Sequence, residues 1–133
     1  MWKFSQSGEG LMDPRGDVID PDAYAGNGEG LNNPDAQDQV RVGPLPVGTY
    51  TIGQAFTHPR LGRMTMRLEP DPSNEMFGRS AFRMHGDNSH ADHTASEGCI
   101  VAGPATRAHV AASSDRVLVV VASFGEQESE ATA

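Results

Sequence analysis

A chain of 133 residues fits one domain large enough to bury a core, and its single cysteine excludes an internal disulfide. A net charge of −8 argues against nucleic acid as a partner, because phosphates repel such a surface. No apolar run reaches the roughly 18 residues a membrane span needs, and the opening "MWKFSQSGEG" lacks the apolar segment of a secretory signal peptide.

Glycine and proline are scattered along the whole chain, and no long helical periodicity interrupts them, which predicts a mainly β domain. Trp2 to Gln6 alternates and meets Ser7-Gly8-Glu9-Gly10, a hairpin-like turn. Residues 13–38 are rich in Asp, Asn, Gly and Pro and read as a long surface loop. Within it "RGD" at 15–17 is turn chemistry, and Asn32 and Asn33 serve turns. "GPLPVGTYTIG" (43–53) enters extended through its prolines and continues as a strand over 49–52. Residues 63–70 and 79–86 each alternate as strands, the first closed by Pro70. Residues 103–113 fit one short helix with Pro104 in its first turn, and 116–123 is a strand too apolar for an edge. Trp2 and Tyr50 are expected in the core. The domain is placed at 1–124 and an acidic tail at 125–133.

The chemistry concentrates in "RMHGDNSHADHTASEGCIVAG" (83–103), which holds three of the five histidines and the cysteine. One reading is a metal site: His85, His90, His93 and Cys99, with Asp87 and Asp92, are zinc-ligand types. Their spacing, however, matches no common ligand frame. A second is a nucleophile with its base. If residues 80–85 form a strand, Phe82 and Met84 face the core, while Arg83 and His85 share the other face. His85 then stands at the strand end before Gly86. Gly98 lets the chain turn tightly before Cys99, and Ile100 and Val101 anchor it. Arg83 can favour the thiolate or hold a substrate carboxylate. Asp87 either orients His85 or caps the turn. A third reading is a buried, inert cysteine beside a polar loop that carries surface histidines. The residues alone leave all three open.

The order His85, then "SEGCIV" (96–101), resembles the L,D-transpeptidase catalytic domain. "WKFSQSGEGL", "YAGNGEGLNNPDAQ", "GPLPVGTYTIG" and "FRMHGD…ASEGCIV", in that order, are similar to the compact subfamily delivered as type VI secretion effectors. The likeness spans roughly residues 2–123. It implies a β-rich sandwich or barrel-like fold with one or two short helices and no cofactor. Cys99 would be the acylated nucleophile, His85 its base, and Ser96 and Gly98 the shapers of the loop and oxyanion hole. The implied substrate is the peptide stem of peptidoglycan, cut between the third-position diamino acid and the terminal D-alanine, with water or another amine resolving the thioester. It also implies synthesis in the cytoplasm without a signal peptide, delivery by a contractile secretion apparatus, action in a target cell's periplasm, and a cognate immunity protein. Two departures are visible. Glu97 stands where these enzymes usually carry His, and "GCIVAG" lacks the usual following Arg, leaving Arg79, Arg83 and Arg107 as candidates for carboxylate binding. They favour carboxypeptidase or exchange chemistry over cross-linking. A non-catalytic wall-binding module and a zinc hydrolase are the competing functions.

Overall fold

The computed structural model describes residues 1–90 and 93–125. Among the described residues the named elements are nine strands and one α-helix: β1 (Trp2–Ser5), β2 (Gly10–Met12), β3 (Val18–Asp20), β4 (Gly48–Ile52), β5 (Phe56–His58), β6 (Gly62–Pro70), β7 (Arg83–His85), β8 (Ile100–Val101), α1 (Pro104–Ala112) and β9 (Val117–Val121). They make one mixed sheet in the order β3-β2-β1-β9-β4-β6-β7-β8, with β5 added along β6. The fold is mainly β, as the punctuation of the sequence indicates.

The hairpin after Trp2–Gln6 is present, with Phe4 opposite Leu11. The apolar run at 117–121 lies in the sheet's interior, parallel to β1 and antiparallel to β4. It therefore loses both edges to neighbours and reads as continuous Val and Leu. β6 is long enough to serve three partners. Its C-terminal end pairs with β4, Met66 and Arg67 pair with β7, and its start pairs with β5. β7 is shorter than the alternation of 79–86 suggests, because Ala81 takes a left-handed φ of 65° and breaks the extended run just before it.

The sheet curls until its two ends meet. Tyr24 bridges Val101 of β8, and Asp20, at the end of β3, accepts from the Gly103 backbone N–H at 2.9 Å. This closure corrects the reading of 13–38 as surface loop throughout: β3 and two 3-10 turns lie there, and Ala23, Tyr24, Ala25 and Ala36 are buried. The turn chemistry assigned to that stretch is nevertheless local. Asp13 accepts from the backbone N–H groups of Arg15 and Asp17, and Asn33 caps the second 3-10 turn through Asp35. The core runs from Trp2, Phe4 and Leu118 through Tyr50 and Met66 to Phe82, Met84 and Ile100. Trp2 and Tyr50 both belong to it. The tail expected from residue 125 lies, beyond Gly125, outside the described residues.

Candidate active site

β7 and β8 run parallel, with Met84 opposite Ile100 and His85 opposite Val101. Met84 and Ile100 point into the core. Alternation therefore places Arg83, His85 and the residue before β8, Cys99, on the other face. One strand spacing across and two residues along separates the Cα atoms of His85 and Cys99 by roughly 8 Å, a gap that these side chains can span when directed at each other. Both line a cavity of about 500 Å³, together with Arg41, Arg60, Arg79, Arg83 and Glu97.

His85 is only 2% exposed. Its Nδ1 lies 2.8 Å from the Gly86 carbonyl oxygen. A carbonyl only accepts, so Nδ1 carries the proton in this contact and Nε2 is left as the basic nitrogen. Burial is the main cause that lowers the His85 pKa below its ordinary 6.5; the Gly86 contact opposes this and Arg107 adds to it. The imidazole is therefore held neutral, the form a base requires. Asp87 does not orient it. Its Oδ1 accepts from the Tyr24 hydroxyl at 3.0 Å and from the Asn88 backbone N–H at 2.9 Å.

Cys99 is half-buried, and its Sγ accepts from the Arg83 backbone N–H at 3.3 Å. Burial pushes the thiol pKa above its ordinary 9.0. The Arg83 backbone contact and charge oppose that shift, while the Glu97 charge adds to it. The resting state is thus a thiol and a neutral imidazole that share one cavity, rather than a preformed ion pair.

Ser96 is fully buried and acts as a junction. Its Oγ accepts from the N–H groups of Gly26 and Gly98, both at 3.0 Å, and donates to the Cys99 carbonyl at 2.6 Å. Gly98 has φ of 136°, and a Cβ there would lie 2.6 Å from Arg79 Nη2 and 2.8 Å from Phe82 Cε1. Its contribution is a turn that no larger residue can make, and its N–H is engaged by Ser96 rather than aimed at an oxyanion.

The three candidate arginines separate clearly. Arg79 donates to the carbonyls of Gln37, Gly43, Pro44 and Glu97. Arg107 donates to those of Ala102, Arg63 and Met64, packs against Gly86, and faces a second cavity of about 400 Å³. Arg83 alone combines a place beside Cys99 with unsatisfied donors: Nη1 reaches only Ala81 at 3.3 Å, and the buried Nε has no hydrogen-bond partner among the described residues. His90 and His93 are exposed, and the His93 ring packs edge-on against Tyr24. Asp92 lies outside the described residues, and among those described no group of three metal-ligating side chains assembles.

A family model, the Tlde1 domain, matches residues 20–122, which include every residue of this site. The chain belongs to the Tlde1 domain family. It is thereby a type VI secretion effector domain. Neither a curated protein nor a solved structure matches it. Among the described residues of this Tlde1 domain, no helix is long and apolar enough to cross a membrane.

Several residues of the site carry no signal in the sequence. Arg41 follows a 3-10 turn and Arg60 sits in the β5–β6 turn, where His58 Nδ1 accepts from the N–H groups of Arg60 and Leu61. Asn27 braces the nucleophile loop by donating to the carbonyls of Arg41 and Ser96. Arg41 and Arg60 are brought to the cavity, and Asn27 to the loop beside it, over distances that no local pattern encodes.

Proposed function

We propose that this Tlde1 domain is a cysteine-dependent L,D-carboxypeptidase, with exchange as a branch, acting on the tetrapeptide stems of peptidoglycan in a target cell's periplasm. The observation that carries the reading is the shared face of β7 and β8, which sets a thiol and a neutral, Nδ1-protonated imidazole into one cavity. In the reaction the Cys99 thiol gives its proton to His85 Nε2 as Sγ attacks the carbonyl carbon of the third stem residue. The tetrahedral adduct collapses by breaking the C–N bond. The leaving D-alanine nitrogen takes the proton from His85, and an acyl thioester remains on Cys99. Water, losing a proton to His85, then attacks the thioester and yields a tripeptide stem with a free carboxylate and the restored thiol. A D-amino acid amine in place of water gives exchange.

The cavity's arginines suit an anionic peptide end despite the overall charge of −8. Shortened or exchanged stems are poor donors for later cross-linking, which fits a toxin whose producer would carry an immunity partner. The test is incubation of the purified protein with tetrapeptide-stem muropeptides, with and without chelator, followed by mass spectrometry. The expected result is loss of one terminal alanine, indifferent to chelator and abolished in Cys99→Ala. Turnover by Cys99→Ala, or by the chelator-free protein alone, overturns it.

A further inference from the structure

Four arginines line the cavity: Arg41 and Arg60 are exposed, and of the two less exposed ones only Arg83 keeps a buried donor without an acceptor among the described residues. Arg79 is 7% exposed and tied to four carbonyls, and Arg107 is tied to three and faces elsewhere. Arg83 differs from both. Its backbone N–H points at Cys99 Sγ, fixing the residue beside the nucleophile. Its guanidinium keeps a single long contact at 3.3 Å, and the side edge formed by Nε and Nη2 carries no hydrogen bond among the described residues. A buried N–H without an acceptor is costly, and it persists where an occupant completes it. The Nε/Nη2 edge of a guanidinium matches a carboxylate in a two-bond fork. The weak Ala81 contact leaves the group able to turn this edge toward the cavity.

We propose that Arg83 is the specificity-determining residue that receives the C-terminal carboxylate of the residue leaving from the acyl donor. The inference rests on the stem-peptidase reading for the identity of that donor. Its chemical core, a carboxylate subsite beside Cys99, does not. In a peptide cut at its last bond, the terminal carboxylate carbon lies three bonds from the carbonyl carbon under attack. The cation that binds it must therefore stand beside the thiol, the position Arg83 occupies, and not at a distant rim. Such a subsite restricts cleavage to the last residue of a chain, since an internal peptide bond offers no carboxylate at that distance.

Two measurements test this. The first needs no peptide: alkylation of Cys99 by iodoacetate, which carries a carboxylate, and by iodoacetamide, which is neutral and of the same size. The iodoacetate-to-iodoacetamide rate ratio is expected to fall about tenfold or more in Arg83→Gln and to recover in part in Arg83→Lys, which keeps the charge but not the fork. An unchanged ratio in Arg83→Gln overturns the subsite whatever the natural substrate is. The second compares a tetrapeptide stem ending in D-alanine with the same stem ending in D-alaninamide. The wild-type protein is expected to favour the acid by on the order of 10²-fold in kcat/KM, and Arg83→Gln to lose most of that preference through KM for the acid alone. Equal cleavage of both stems by the wild-type protein overturns the assignment and leaves the stem-peptidase reading standing. Should Arg83→Gln fail to fold, the wild-type acid-to-amide comparison and Arg83→Lys still decide the outcome.

Discussion

His85 and Cys99 are each shifted by burial in the direction that keeps them uncharged, and this fixes the pH behaviour of the site. A base must be neutral to accept a proton, so activity rises with pH through the His85 pKa. That pKa lies below 6.5, which places the acid limb of kcat/KM below 6.5 and the plateau above it. The thiol ionises on its own only above 9.0, so iodoacetamide alkylation of the resting protein is expected to be slow at pH 7 and to climb with a midpoint above 9.0. A midpoint near 6 would mean a preformed thiolate–imidazolium pair and a different first step. Ser96 supplies a second expectation. Removing its hydroxyl leaves two buried N–H groups and the Cys99 carbonyl without their partner. Ser96→Ala should therefore lower the unfolding free energy by about 2–4 kcal/mol, measured by urea titration, and reduce kcat through misplacement of Cys99. Full stability in that variant would show that the loop is held by something other than this junction.

Among the elements, the nucleophile loop depends on a staple that its own sequence does not contain. Arg79 precedes β7 and joins the 37–44 segment to Glu97 through four carbonyls, with its guanidinium also over the Phe82 ring at 5.1 Å. Its hydrogen bonds all go to carbonyl oxygens, and burial is the main cause that lowers its pKa, with the Asp38 charge among those opposing it. Arg79→Met should cost about 3 kcal/mol, since four carbonyl acceptors lose their donor, those of Gly43 and Pro44 in buried bonds, and Arg79→Lys should recover only part because one ammonium cannot fork to them all. Thermal unfolding of the two variants checks the order. Legibility in the sequence follows the same divide. β4, β6, β9 and α1 could be read within a residue or two, because alternation, an apolar run, or Pro104 at a helix start is local information. β2, β3 and β5 have three residues each and no period to detect. The shared face of Arg83 and His85 was visible in the alternation of 82–85, whereas the face of Cys99 follows from the parallel register of β7 and β8. Arg41, Arg60 and Asn27 were not visible, and the separation of Arg79 and Arg107 from Arg83 required knowing which carbonyls each one meets.

At the scale of the molecule, the sheet follows one path with β5 added along β6; within it β1 lies parallel to β9, and the ends of the path are joined through Asp20 and Tyr24. Trp2, the only tryptophan, sits in β1, and Cys99, the only cysteine, lies beside β8 at the end of the same path. They report on opposite parts of the sheet. Between them runs one continuous core, and β9 carries it: Leu118 is fully buried and stands opposite both Trp2 and Tyr50. With no internal boundary to melt along, the domain should unfold in one step. Trp2 fluorescence and the reactivity of Cys99 toward a thiol reagent are expected to change at the same urea concentration. Leu118→Ala, which opens a cavity between the two pairs, should shift both midpoints together by an amount equivalent to about 2–5 kcal/mol. If Cys99 became reactive well before Trp2 changed, the closure through Asp20 and Tyr24 would be the weak seam and the site half would open separately. Coincident midpoints in Leu118→Ala would tie the candidate active site to a packing contact made in the central strand.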